Sequence, residues 1–167
     1  KIGYFARIIN GKQPKRVSLV LHGSFGKVYG GHCTDKAIIG GLLGYLPHSE
    51  HIREADELAR KAGMEVEILA GDLGDSVHPN SVRIEMENED GTSHRVRGKS
   101  NGGGKIVLRE IDKGDVQIDM SYSVLLVMFN NREIPPLNLI ELVKKLEVDI
   151  VKFETGTYKD KTLLVIE

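Results

Sequence analysis

A glycine-studded junction between a strand pattern and a helix pattern, residues 23 to 44, does most to limit what this chain can fold into. Val17, Leu19 and Leu21 alternate with Ser18, Val20 and His22 on the way in, which is the period of a strand. Thr34 and Asp35 are helix starters, and Ile38, Ile39, Leu42 and Leu43 follow at helical spacing. Between the two patterns stand Gly23, Gly26, Gly30 and Gly31, with His32 and Cys33 at the end of the run. Glycine permits close backbone approach and positive φ. The pattern therefore predicts polar side chains displayed at the mouth of a loop and beside a helix N-terminus, where open α/β structures often bind ligands. A tight strand-to-helix connection enclosing a core histidine meets the same spacing, and spacing alone favours that plainer reading.

The flanking segments read as alternating helices and strands. Ile2, Phe5, Ala6 and Ile9 form the stripe of a first helix that stops at Asn10-Gly11. Because the chain opens at Lys1, without methionine and with this helix under way, the N-terminus is expected to be a cut one. A strand is predicted at Arg16–Leu21, then a helix over 34–43. Pro47-His48-Ser49-Glu50 opens a further helix with Ser49 as N-cap, striped by Ile52, Ala55, Leu58, Ala59 and Ala62 and closed by Gly63. A strand at Glu65–Ala70 leads into an acidic loop over 71–77, where Asp72 and Asp75 lack EF-hand spacing and read as solvated. Val82, Ile84 and Met86 alternate with charged residues, and Asp90-Gly91 turns the chain into a returning strand through Val96. Gly102-Gly103-Gly104 then separates this hairpin from strands at Lys105–Ile111 and 116–120. The triple glycine is either a bend between strands or a nest of N–H groups for an anion.

Composition changes at Ser121. Residues 122–129 form a dense apolar strand, and Pro135-Pro136 leads into a helix with Leu139, Leu142, Val143 and Leu146 on its buried side. Strands at 149–154 and 162–166 follow. This β-α-β-β order is the first part of a ferredoxin-like unit without its last helix and strand. The fold class expected is α/β (α+β): a mixed-sheet domain over 1–119, then an incomplete βαββ unit over 120–167.

With Lys+Arg 23 against Asp+Glu 24, the net charge of -1 offers no basic excess for nucleic acid. No apolar run approaches the ~20 residues of a membrane helix, and no signal-peptide pattern opens the chain. One cysteine excludes an internal disulfide and suits a reducing cytoplasm.

Gly-Ser-Phe from Gly23, Gly-His-x-Thr-Asp from Gly31 and Gly-Gly-Leu-Leu-Gly from Gly40 resemble the beta chain of bacterial iron–sulfur-dependent L-serine dehydratases. His78-Pro79-Asn80-Ser81-Val82-Arg83-Ile84 and the run from Gly98 to Ile106 fall in that family's order. The resemblance covers residues 1 to about 119 well and the remainder loosely. It departs at Cys33, where the family usually has glycine, and at Asn101, where an apolar residue is usual. A Ser-Ser-His-Thr stretch that lies just upstream in the family is not in this sequence.

The resemblance implies a lyase subunit that converts L-serine to pyruvate and ammonia. Its partner, an alpha chain, would hold a [4Fe–4S] cluster whose open iron serves as Lewis acid on the departing hydroxyl. A single cysteine agrees with that division, because a cluster takes typically four thiolates. His32 would be the base for the Cα proton, and Thr34 beside it would bind the carboxylate, orient the imidazole or merely cap the helix. Ser24, His78, Asn80, Gly102, Gly103 and Gly104 would line the substrate. No metal ligand is expected on this chain: His22, His32, Cys33 and His78 fit no zinc spacing. Nor does a nucleophile elbow surround Ser24. His22 is expected to pack at its strand end, while His48, His51 and His94 are expected in solvent.

The segment from 120 resembles an amino-acid-binding ACT module. Its ligand turn, from Asn130 to Pro135, has no glycine, which predicts weak or absent effector binding. Its first strand, lacking a neighbour, would invite self-association. A second class remains open. The first domain also resembles the allosteric substrate-binding domain of some phosphoglycerate dehydrogenases, a non-catalytic module for a small amino or hydroxy acid.

Overall fold

The computed structural model describes residues 1–130, 141–145, 149–158 and 161–167. Helices and strands alternate through two sheets. The larger is mixed, with the order β2-β1-β3-β4-β5-β6. Its strands are β1 (Arg16–Leu21), β2 (Glu65–Ala70), β3 (Ser81–Glu87), β4 (Ser93–Gly102), β5 (Lys105–Ile111) and β6 (Gly114–Ile118). Only β1 and β2 pair in parallel; the other ladders are antiparallel. A parallel pair requires a long crossover. That crossover carries α2 (Ser24–Val28), α3 (Thr34–Leu42), a 3₁₀ turn (Glu50–Glu54) and α4 (Ala55–Lys61). The mixed α/β architecture expected from the sequence is the one observed.

Strand periodicity sets the core. Val17, Leu19 and Leu21 of β1, Val82, Ile84 and Met86 of β3 and Val96 of β4 are buried with Ile38, Ile39 and Leu42 of α3. Each such aliphatic side chain contributes roughly 1.5–3 kcal/mol by leaving water. The first helix, α1 (Ile2–Asn10), adds Ile2, Ala6 and Ile9. It ends at Gly11, whose φ of 74° frees its N–H for the carbonyls of Arg7 and Ile8. Buried Asn10 and Asn88 exchange amide hydrogen bonds of 2.8 and 3.2 Å, tying the helix end to the β3–β4 hairpin. Glycine decides how α1 meets α3. A Cβ on Gly3 would stand 2.1 Å from the Ile38 carbonyl oxygen, and one on Gly41 would stand 2.4 Å from the Tyr4 nitrogen. The two helices therefore touch backbone to backbone.

The opposite face of the sheet is charged. Register aligns Glu67, Ser18, Glu85 and Arg95 across four strands. A groove of about 960 Å³ runs over this face. Arg95 and Arg97 converge on buried Glu110, with Nε–oxygen distances of 2.6 and 3.2 Å.

His94 is not solvated as its sequence context suggests. Its Nδ1 lies 2.8 Å from Asp112 Oδ2, and the side chains are 19% and 22% exposed. The reason is the tight β5–β6 turn, which swings Asp112 back over β4, where its Oδ1 also accepts the Arg95 N–H at 2.8 Å. Burial raises the Asp112 pKa, but the bonds from His94 and Arg95 and the charges of His94 and Lys161 outweigh it, so the net direction is down. A carboxylate held below its unfolded value of about 3.9 adds stability above that value, and the addition is lost as pH falls through the folded pKa. Urea unfolding from pH 6 to 3 should therefore show stability dropping below about pH 4. Asp112→Asn should flatten that part of the profile. Asp112→Ala should cost about 1–3 kcal/mol at pH 7 by stranding two donors.

The smaller sheet has the order β7-β9-β8, from β7 (Leu125–Asn130), β8 (Phe153–Tyr158) and β9 (Lys161–Ile166), all antiparallel. Its central strand is buried on both faces: Leu163 and Val165 join the main core, while Leu164 and Ile166 pack with Phe129 and Val143. A continuous apolar run in β9 is what such a position requires.

Several boundaries differ from expectation. The β6 pairing starts at Gly114 and ends at Ile118, because Gly114 opposes Ile111 directly. The strand expected at 122–129 runs Leu125–Asn130, and the one expected at 149–154 runs Phe153–Tyr158. Both follow the register of β9, which pairs with all of β7 and β8. Ser49 does take the N-cap position, but without a side-chain bond, and the helix there opens as a 3₁₀ turn. Leu142, expected inside, is 59% exposed; of residues 141–145 only Val143 is buried. The ligand turn beyond Asn130, and Leu139 and Leu146 of the expected helix, lie outside the described residues.

Candidate functional site

Some of the residues singled out lie along the sheet rim where β1 ends, β3 begins and β4 turns into β5: Ser24 just after β1, His78 and Asn80 just before β3, and Gly102–Gly104 at the β4–β5 bend. Gly23 makes the first turn of this rim possible. Its φ is 56°, and a Cβ there would stand 2.7 Å from the Pro79 Cα. This close approach seats the His78–Asn80 segment on the end of β1. The Phe25 N–H reaches the Pro79 carbonyl at 3.3 Å, and the Asn80 carbonyl accepts the Ser100 N–H at 2.9 Å. The Gly102 N–H in turn meets Ser100 Oγ at 3.3 Å. The segment after Gly23 is therefore joined, by way of the Phe25 N–H, to Pro79 and on through Asn80 and Ser100 to Gly102.

The side chains along this rim differ in freedom. Ser24 is exposed and opens α2. His78 is half-buried, and its Nδ1 accepts the Asn80 N–H at 3.1 Å. Gly102, Gly103 and Gly104 are exposed, with φ of 84°, 57° and 74°. They form the bend between β4 and β5, and carry no side chains of their own over its backbone N–H groups, of which that of Gly102 is taken by Ser100 Oγ.

The stretch before α3 is not an open loop. Ser24–Val28 closes a short helix because Phe25 and Tyr29, four apart, both pack on the core, and Gly26 passes within 2.6 Å (as a hypothetical Cβ) of the Leu21 carbonyl. The i, i+4 aromatic pair was the available signal for it. Turn bonds from His32 N–H to Val28 O and from Thr34 N–H to Tyr29 O then lead into α3. Cys33 holds φ 53°, a conformation that glycine takes freely and another residue adopts at about 1–2 kcal/mol. It is the N-cap of α3, without a side-chain bond, so Thr34 is the first helical residue and not the cap. The geometry at Cys33 places the cap one residue early.

His32 is exposed, and among the described residues its imidazole has no hydrogen bond or ion pair. Cys33 is exposed as well. His22 is packed as expected, and it does more than pack: it bonds to backbone on both sides of residues 71–77. The sequence does not disclose that role, because no pattern links a strand-end histidine to backbone groups more than fifty residues away. Of the remaining histidines, His48 and His51 are exposed, His51 lying 5.0 Å from the Tyr45 ring.

The donor set of this chain does not fit an iron–sulfur cluster. It offers a single exposed thiol, and no group of three or more His, Cys, Asp or Glu side chains suits a metal among the described residues. Nor is any described helix long and apolar enough to cross a membrane.

No family model matches the chain. Two curated proteins do. The chain is 32% identical over 156 residues to the probable L-serine dehydratase beta chain of Bacillus subtilis, covering 93% of this chain and 70% of that one. It is 36% identical over 129 residues to the L-serine dehydratase beta chain of Peptoniphilus asaccharolyticus, covering 77% and 58%. At that identity, and over that share of both sequences, the chain belongs to the L-serine dehydratase beta-chain family.

Proposed function

We propose that this chain is the beta subunit of an L-serine dehydratase, a lyase that forms pyruvate and ammonia together with an alpha chain. The observation that carries the reading is His32: exposed, next to a helix start and, among the described residues, free of side-chain bonds that would give it a structural task. An imidazole so placed is suited to take the Cα proton of serine. Loss of that proton and of the β-hydroxyl leaves an aminoacrylate, which becomes pyruvate and ammonia. Thr34, half-buried at the start of α3, is read as the group that meets the carboxylate or orients the imidazole. Ser24, His78, Asn80 and Gly102–Gly104, along the rim, are read as the polar contacts to substrate. On this reading the [4Fe–4S] cluster is held by the alpha chain, in keeping with the single cysteine of this one. The setting is cytoplasmic.

The remaining readings concern architecture. Residues 1–119 form the dehydratase domain and 120–167 a partial ACT-like unit. The order β7-β9-β8 supports the second, being that of the first three strands of a ferredoxin-like sheet. The position of β7 at the sheet edge supports self-association there. The regulatory-module alternative gains nothing from the relatives, both of which are named as dehydratase beta chains.

Anaerobic co-expression with a candidate alpha chain, followed by a pyruvate assay, tests the assignment. Pyruvate should form from the assembled pair and not from this chain alone. Dehydration by this chain alone, after removal of metals and pyridoxal phosphate, would contradict it.

A further inference from the structure

His22 stands at the end of β1 with 14% of its side chain exposed. It reaches both sides of residues 71–77. Its Nδ1 accepts the Leu73 N–H at 3.1 Å, and its Nε2 lies 3.2 Å from the Val77 carbonyl oxygen. An N–H can only donate and a carbonyl can only accept. The two partners together fix a neutral ring with its proton on Nε2. The backbone extends the grip: the Gly71 N–H bonds to Leu21 O, and the His22 N–H bonds to Ser81 O, each at 3.0 Å. The segment thus leaves β2 and re-enters at β3 through bonds made by two adjacent residues. Val77 runs directly into His78, Pro79 and Asn80 on the rim.

We infer that His22 is a positioning residue: its imidazole clasps residues 71–77 and so sets where His78 and Asn80 stand. Its consequence for substrate rests on the reading of the rim as part of the serine site; the clasp itself does not. Asp72 also faces the ring, with a carboxylate oxygen 3.4 Å from Nδ1 that accepts the Gly74 N–H at 2.8 Å. The Leu73 N–H, at 3.1 Å, is the shorter contact of Nδ1.

Residue-resolved amide exchange on the whole chain tests the clasp without any activity. His22→Phe keeps a ring and loses both bonds. The Leu73 amide should then exchange roughly tenfold faster, a change of about 1.4 kcal/mol and within the range of one lost hydrogen bond. Amides of β3 and β4 should not change. His22→Asn places a carbonyl oxygen near the Nδ1 position and should restore protection at Leu73. His22→Gln places an amide nitrogen near the Nε2 position and should leave Leu73 fast. Should the Phe variant fail to fold, the contrast between Asn and Gln decides alone. Wild-type exchange at Leu73 in His22→Gln overturns the clasp. In the assembled enzyme, His22→Phe and His22→Asn both lose the bond to Val77, next to His78, and should raise KM for serine severalfold while kcat holds. Unchanged KM in both overturns the positioning role. An inactive wild-type pair would instead count against the dehydratase assignment, with the exchange result unaffected.

Discussion

His32→Ala should fold, assemble with the alpha chain and lose turnover by roughly 10²–10⁴-fold, the usual effect of removing a general base. The imidazole is exposed and unbonded among the described residues, so its loss removes no contact that holds the chain together. Melting temperature should stay within about 1–2 °C of wild type, because surface substitutions of this kind are usually worth under about 0.5 kcal/mol. His32→Gln should do no better than alanine, since an amide can hydrogen-bond but cannot take a proton. Activity has to be normalised to assembled complex. Near-wild-type normalised turnover for His32→Ala would end the catalytic reading and leave family membership untouched. Thr34→Ala separates its two remaining roles: a raised KM with turnover kept means a contact to substrate, and a lower kcat with KM kept means orientation of the imidazole.

The largest effect on stability should come from the α1–α3 contact. Gly3→Ala and Gly41→Ala each drive a methyl group into backbone atoms of the facing helix, at 2.1 and 2.4 Å. Backbone cannot swing aside as a long side chain can, so the helices must separate or tilt. Overpacking of this kind costs about 3 kcal/mol at the upper end of the usual range. For a chain of this size that corresponds to a fall of about 6–12 °C in Tm. Gly30→Ala is the control: a Cβ there meets nothing within 4 Å and φ is not in the positive region, so Tm should hardly move. The double variant Gly3→Ala/Gly41→Ala should lose less than the sum, because both methyl groups open one contact. Thermal unfolding followed by circular dichroism measures all four.

The readable parts of this fold were those where side-chain period and packing agree. Arg16–Leu21, Glu65–Ala70 and Lys105–Ile111 emerged with their observed bounds because each alternates or runs apolar between clear turn residues. The turn before α3 was harder. A positive φ at Cys33 contradicts the ordinary preference of a non-glycine residue, so Thr34 looked like the cap. Strands β7 and β8 were misplaced by up to four residues because β9 sets their register, and a partner strand cannot be read from local sequence. For the site, His32, Ser24, His78, Asn80 and the triple glycine were visible as motifs. That the Phe25 N–H meets the Pro79 carbonyl beside Asn80 joins segments far apart in the chain, which leaves no local trace. His94 failed for the same reason: its partner Asp112 arrives from another strand.

β9 has a consequence for how the chain reaches this state. Leu163 and Val165 complete the core that Val116 and Ile118 belong to, although they follow far downstream of β6. Residues through β6 alone therefore leave this core with an unfinished apolar surface. Folding of the two sheets should be a single concerted event rather than one unit after another.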